Sequence, residues 1–133
     1  MSYQAKHFSD KELACKHCGE NLCTDELKEA LDQYREIVGK PVIVHDAYRC
    51  YVHNAGVSLV NKSQHPMGTA ADVEVPGLTL QEMYDAALKV DAFKYGGIGV
   101  YDKNFIHVDV RRGIARWSFV GTKEGSLDLL VKA

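Results

Sequence analysis

Two histidines and one aspartate are the residues of this chain best suited to bind a metal ion. Asp72 follows His65 by seven residues, and His107 comes after an intervening helical pattern. Imidazole nitrogens and carboxylate oxygens are ordinary zinc ligands, and three of them with a fourth position left to water make a catalytic zinc site. The residues therefore predict a zinc hydrolase. The alternative is that they lie on ordinary solvated strand faces.

Strand periodicity groups these residues on polar faces. Successive side chains of a strand point to opposite sides, so Asp72 and Glu74 share one face of their strand. By the same rule His107, Asp109 and Arg111 share one face of a later strand, and the positions between them are valines. If both strands lie in one sheet backed by helices, the two polar faces coincide and form the floor of a cleft.

The remaining elements follow from capping signals and hydrophobic periodicity. The predicted elements are a helical turn after Ser9 with Glu12 as its capping partner, a helix from Thr24 to Val38, strands over residues 41–46 and 70–75, a helix from Thr79 to about residue 92, a hairpin over 97–111 and a strand over 115–119. We expect an α+β fold, a small and mostly antiparallel sheet with helices packed on one face. A single domain spans 1–133, with a cysteine-containing segment over 1–23, a core over 24–119 and a tail over 120–133.

Composition excludes several classes of protein. The 133 residues carry a net charge of -2, and 46% of them are hydrophobic. A nucleic-acid-binding surface normally shows as a basic excess, so no nucleic-acid partner is expected. No window approaches the roughly 18 apolar residues of a membrane span, and the N-terminus has no apolar region typical of an export signal. We expect a monomer.

Several short motifs follow one another along the chain. They are 48–54 (YRCYVHN), Ser63-x-His65-x-x-Gly68-x-Ala70-x-Asp72, 97–101 (GIGVY), 105–111 (FIHVDVR) and 115–117 (ARW). In this order they resemble the zinc D-Ala-D-Ala carboxypeptidase family of murein metallopeptidases. The similarity runs from about residue 8 to residue 118. That family belongs to a larger group with lysostaphin-type and Hedgehog-type domains, so the resemblance implies a Hedgehog/DD-peptidase-like fold.

The resemblance implies that His65, Asp72 and His107 bind Zn²⁺ and that Arg49 faces the substrate. In such a site a zinc-bound water, its pKa lowered toward about 7, attacks a peptide carbonyl that the metal polarises. Arg49 would stabilise the developing oxyanion or grip a substrate carboxylate through its planar fork. The alternative for Arg49 is a plain surface charge.

The general base is where the sequence departs from the best-known members. Those often carry Glu or Asp three residues before the last histidine ligand, where this chain has Asn104, which cannot take a proton. Asp109 is the first candidate for the base and Asp102 the second, although Asp109 is equally suited to orienting the histidine or pairing with an arginine. Ser63 and Gln64 are candidates for hydrogen bonds to substrate, and loop capping would also account for Ser63.

Three of the four cysteines crowd into a short N-terminal stretch, and the fourth is next to Arg49. Cys15, Cys18, Cys23 and Cys50 are suited to a second, structural zinc site that fastens the N-terminal segment to the turn carrying Arg49. Disulfides and unbonded thiols are the alternatives, and the number of cysteines does not fix the compartment.

These observations predict a zinc peptidase acting on peptidoglycan stem or cross-link peptides, as a D-Ala-D-Ala carboxypeptidase or as an endopeptidase. The alternative is a zinc-containing, non-catalytic binding module of the Hedgehog type that recognises the cell wall or a protein. Asn104 favours the binding module, whereas Arg49 beside a full ligand set favours the enzyme. Without an export signal, we expect cytoplasmic synthesis and action at the cell wall, as for a phage-type lysin, or a domain excised from an exported protein.

Overall fold

The computed structural model describes residues 3–16, 18–48, 67–120 and 123–125. The helices are α1 (Asp10–Leu13), α2 (Asp25–Val38), α3 (Leu80–Ala87) and α4 (Asp91–Lys94), and the strands are β1 (Ile43–Asp46), β2 (Ala70–Glu74), β3 (Gly97–Tyr101), β4 (Phe105–Asp109), β5 (Ala115–Val120) and β6 (Lys123–Gly125). The strands form one sheet in the order β1-β2-β4-β3-β5-β6. All neighbours are antiparallel except β3 and β5. The predicted α+β class with a mostly antiparallel sheet is confirmed.

The long helix begins and ends where its sequence predicts. The Thr24 side chain accepts a hydrogen bond from the Leu27 N–H at the start of α2, and Gly39 ends the helix in the left-handed conformation with φ 64°. Such a conformation suits glycine because it has no side chain to clash with the preceding turn. The two predicted capping boxes, at Ser9 and Thr79, are also present.

The helix predicted from Thr79 to about residue 92 is instead two helices. α3 ends at Ala87, where the N–H groups of Lys89 and Val90 bond to carbonyls three residues back, at 3.0 and 3.1 Å. This tighter turning redirects the chain before α4 begins. Val90 and Phe93 are fully buried. Burial of these two side chains therefore accounts for a break that helical periodicity alone does not reveal.

One face of the sheet forms the hydrophobic core. The buried strand residues on this face are Ala71, Val73, Ile98, Val100, Ile106 and Val108. α3 and α4 contact β3 and β4, and α2 packs against α3 and α4. The predicted alternation in β2 and β4 is confirmed, since Asp72, His107 and Asp109 lie on the opposite face. The rings of Phe105 and Trp117 share that face with them. None of the helices in the described ranges is long and apolar enough to cross a membrane.

The far edge of the sheet differs from the expected arrangement. Residues 123–125 form β6, antiparallel to β5, within the segment predicted to be a tail. β5 itself runs parallel to β3, with Trp117 level with Gly99. Residue patterns specify strands but not which neighbour each strand pairs with. This pairing places the Trp117 ring over Gly99 of β3, 5.0 Å from the His107 ring on β4.

Candidate metal centre

β2 and β4 place Asp72 and His107 directly opposite each other. Asp72 Oδ1 lies 3.1 Å from His107 Nδ1. The imidazole is nearly buried, and the aspartate is only partly exposed. Two of the three predicted zinc ligands are thus neighbours on the polar face of the sheet, while His65, the third, lies outside the described residues.

The other nitrogen of the imidazole contacts a second carboxylate. His107 Nε2 lies 2.8 Å from Asp109 Oδ2, and Asp109 is fully buried. The backbone N–H groups of Gly97 and Arg111 donate to Asp109 Oδ1 at 2.9 and 3.1 Å. Both oxygens of this carboxylate are therefore occupied by donors from within the protein.

Arg111 and Trp117 complete the arrangement around Asp109. Arg111 Nε lies 2.9 and 3.0 Å from the two carboxylate oxygens, and Nη2 lies 2.7 Å from Oδ2. The guanidinium lies 5.3 Å from the centre of the Trp117 ring, which is itself 5.0 Å from the His107 ring. Trp117 Nε1–H donates to the hydroxyl of Tyr101 at 2.9 Å. Sequence reasoning placed Arg111 on this face but did not find Trp117 as a neighbour of His107.

Glycines in β3 make room for these side chains. A side chain at Gly97 would overlap the Asp109 carboxylate, and one at Gly99 would overlap the Trp117 ring. Both strand positions face the same side as His107 in the hairpin register. Glycine in the middle of a strand often marks such close approach. The two glycines of the GIGVY motif are therefore explained by the groups that lie over them.

Gly68 fixes how the chain enters β2. Its φ is 72°, a left-handed conformation, and a side chain there would overlap the Leu22 carbonyl. Its carbonyl accepts a hydrogen bond of 2.9 Å from the Thr24 N–H. The motif glycine thus holds the start of β2 against the segment that leads into α2.

The groups around His107 change its own pKa and that of Asp109. Burial by itself would lower the pKa of His107, but hydrogen bonds with Asp109 and Asp72 outweigh burial and raise it. Burial would raise the pKa of Asp109, yet hydrogen bonds from His107 and Arg111 hold it well below its usual range. Asp109 is therefore a hydrogen-bond acceptor and a poor proton acceptor.

The donor set of Asp72 and His107 fits a zinc ion. Zinc ligands lie about 2.0–2.1 Å from the metal, so two ligand atoms at tetrahedral positions are about 3.3 Å apart. The separation of 3.1 Å between Oδ1 and Nδ1 is close to that value. No cluster of three or more His, Cys, Asp or Glu side chains within the described ranges is arranged to hold a metal ion. A complete site therefore needs a ligand from elsewhere, which is the part predicted for His65.

The turn between β3 and β4 carries Asp102, the second candidate for the general base. Asp102 is exposed in this turn, and Asn104 has φ 68°. Asparagine tolerates the left-handed region better than most residues with a side chain. The turn geometry therefore suits Asn104 to this position. The stacked rings of Tyr101 and Phe105, 4.7 Å apart, flank the turn.

The described cysteines form no disulfide. Cys15 and Cys23 are buried and Cys18 is exposed. Burial raises the pKa of the Cys23 thiol to about 11, and its Sγ donates to the Leu13 carbonyl at 3.6 Å. The second zinc predicted at the cysteines has no support among these residues. Cys50 lies outside the described residues, as do Arg49, Ser63 and Gln64.

Comparison with known families matches most of the chain. A family model described as Peptidase M15 matches residues 6–109. The matched range includes Asp72, His107 and Asp109 and covers most of the chain. The comparison with curated proteins found no match. The family match confirms the resemblance that the motifs predicted.

Proposed function

The chain belongs to the peptidase M15 family, and from this we propose that it is a zinc-dependent peptidase that hydrolyses peptide bonds in peptidoglycan stem or cross-link peptides. The Asp72–His107 pair carries the proposal, because a carboxylate and an imidazole nitrogen 3.1 Å apart form half of a tetrahedral zinc site. Bound there, the metal would supply Lewis acidity and an acidified water near a peptide carbonyl.

The residues of the chain hold and surround the reacting groups. Asp72 and His107 would hold the metal, and His65 is proposed as the third ligand. Arg49 is proposed to stabilise the oxyanion or to hold a substrate carboxylate, since a guanidinium binds either through its planar fork. Ser63 and Gln64 are proposed to hydrogen-bond the substrate.

Asp109 and Asp102 are the two candidates for the general base. Both oxygens of Asp109 are occupied, and its pKa is held low. These features favour Asp109 as the group that orients His107. Asp102 is therefore the candidate left for the general base. The Asp102→Asn variant should then lose kcat and keep its zinc. Unchanged kcat in this variant would remove Asp102 from the mechanism.

Digestion of purified peptidoglycan tests the proposed function. The zinc-loaded protein is incubated with peptidoglycan, and both the released products and the remaining stem peptides are identified by mass spectrometry. Released D-alanine with shortened stem peptides would identify a carboxypeptidase, and cross-linked fragments converted to monomers would identify an endopeptidase. Asp72→Ala should abolish release. Asp85→Ala should not, because Asp85 is exposed on α3 and accepts a hydrogen bond from Gln81 of the same helix. Binding without cleavage by wild-type protein would contradict the enzyme and favour the Hedgehog-type binding module.

A further inference from the structure

We infer that Asp109, Arg111 and Trp117 form a positioning unit that fixes His107 with Nδ1 as its metal-binding nitrogen. The inference rests on the proposed function, because it concerns the orientation of one proposed zinc ligand. Arg111 and Trp117 lie beyond the residues that the family model matches.

The donors around Asp109 determine which nitrogen of His107 carries the proton. Asp109 receives two backbone N–H groups and the forked guanidinium of Arg111, an arrangement suited to an ionised carboxylate. An ionised carboxylate only accepts hydrogen bonds. The contact of 2.8 Å between Oδ2 and His107 Nε2 therefore requires Nε2 to be the donor. In the protonated ring Nδ1–H also donates to Asp72 Oδ1, at 3.1 Å. The neutral ring has one N–H, which Asp109 holds on Nε2, so its lone pair then lies on Nδ1, the atom that faces Asp72.

This tautomer is the one that metal binding beside Asp72 requires. A metal-binding histidine commonly donates its other ring N–H to a carboxylate or carbonyl, which fixes the ring and its tautomer. Here Asp109 is the acceptor, and it lies two residues from His107 on the same face of β4. The strand itself therefore supplies the ligand and the group that orients it.

Arg111 holds the carboxylate in the orientation that this hydrogen bond needs. Its Nε contacts both oxygens and its Nη2 contacts Oδ2, so rotation of the carboxylate would break several contacts together. Gly97 donates to Oδ1 from the neighbouring strand and leaves space for the group. The guanidinium also supplies the positive charge that a buried carboxylate needs.

Trp117, on β5, lies against both Arg111 and His107. Its ring lies 5.3 Å from the Arg111 guanidinium and 5.0 Å from the imidazole, and its indole N–H is held by Tyr101. A guanidinium over an indole face is an attractive arrangement. The chain contains one tryptophan, so its fluorescence reports on this position alone.

Zinc affinity measured by competition with a chelator tests the positioning unit. Arg111→Met should weaken zinc binding by about 10–100-fold, the range found when outer partners of metal ligands are removed. Arg112→Met is the matched control, because Arg112 is the exposed neighbour with the same charge, and it should bind zinc as wild type does. Arg111→Lys keeps the charge without the fork and should show an intermediate loss. The fluorescence of Trp117 follows binding in each variant.

If the zinc affinity of Arg111→Met stays within about twofold of wild type, the inference is overturned. Removing a group that orients a metal ligand typically lowers metal affinity by about tenfold or more. If Arg111→Met does not fold, Arg111→Lys decides: an affinity unchanged from wild type overturns the inference, and a weaker affinity supports it. Circular dichroism of each variant establishes folding before the affinity is compared.

The proton position on His107 can be read independently of zinc. Long-range ¹H–¹⁵N NMR of metal-free protein, at a pH where the ring is neutral, should show the proton on Nε2. A proton on Nδ1 would overturn the inference. If wild-type protein binds no zinc, the proposed function fails, yet this measurement still tests the orientation of the ring. Asp109→Asn, whose amide can donate to Nε2, should shift the proton toward Nδ1.

Discussion

Two buried carboxylates, in different regions of the molecule, organise their surroundings with different kinds of donor. Asp32 on α2 accepts hydrogen bonds from the Tyr3 hydroxyl at 2.6 Å and from the N–H groups of Lys6 and His7 at 2.8 and 3.0 Å. Each of these donors is an uncharged group near neutral pH. Asp32 therefore ties the N-terminal segment to a helix and bears on stability.

Asp109 on β4 is equally buried, but two of its partners are a guanidinium and an imidazole. The imidazole in turn faces Asp72. The difference shows that burial of an acid does not by itself indicate a functional site. The hydrogen-bond partners distinguish the two carboxylates, because of the two only Asp109 contacts a proposed metal ligand, His107. Changes at Asp109 should alter metal binding, and changes at Asp32 should alter folding alone.

The largest expected effect belongs to Asp109→Asn. Loss of the carboxylate acceptor should weaken zinc binding by about 10–100-fold, because the orientation of His107 is no longer fixed. Asp32→Asn is the matched control in the other region and should leave zinc affinity unchanged. Chelator competition measures both. An equal loss of zinc affinity in the two variants would show that the two carboxylates do not differ in their effect on metal binding.

The next largest effect is expected for Asp32→Ala. Removing the acceptor leaves several donors without their partner, which should reduce the free energy of unfolding by about 2–3 kcal/mol. Urea titration followed by circular dichroism measures the loss. Because the hydrogen bonds of Asp32 go to the N-terminal segment, zinc affinity should match wild type in the folded variant. A stability equal to wild type would show that Asp32 does not anchor the N-terminal segment.

A smaller effect is expected for Gly97→Ala. The new methyl group would overlap the Asp109 carboxylate, and overpacking of this kind costs about 1–3 kcal/mol. Zinc affinity should fall as well, because the carboxylate must move. Gly77→Ala is the control: nothing lies near its added methyl, although its φ of 93° brings a backbone cost of its own. A zinc affinity unchanged in Gly97→Ala would contradict the close packing of Gly97 and Asp109.

The smallest effect is a pH dependence at Tyr3. The hydrogen bond to Asp32, more than any other cause, raises the pKa of Tyr3 from 10.0 to about 12. A group whose pKa is raised on folding adds stability below its unfolded pKa and loses it as pH rises through the folded value. Tyr3→Phe should therefore be less stable than wild type near neutral pH, and the difference should vanish between pH 10 and 12. Thermal unfolding across this range measures it, and a difference that stays constant would contradict the bond to Asp32.

The elements that carry the site follow from local sequence rules. Alternation in β2 and β4 puts the valines in the core and leaves Asp72, His107 and Asp109 on the other face, as the structure confirms. Helix caps at Thr24 and Thr79 are equally local, since a side-chain oxygen bonds an N–H three residues away. These features need only neighbouring residues to be predicted.

The features that sequence reasoning missed depend on distant parts of the chain. Asp32 carries no signal of burial, because an aspartate on a helix ordinarily faces water. The contact between Trp117 and His107 depends on the parallel pairing of β5 with β3, which residue patterns do not specify. The break after Ala87 depends on burial of Phe93 against α2, seen in its edge contact with Tyr34. Tertiary packing decides each case.

Zinc content of purified protein tests the central claim most directly. Elemental analysis of wild-type protein and of Asp72→Ala, both folded and prepared identically, gives the number of zinc ions per chain. We expect wild type to hold one equivalent of zinc more than the variant, because any metal bound at the cysteines would remain in both. Equal zinc in the two proteins, or none in wild type, would contradict a metal centre built on Asp72 and His107.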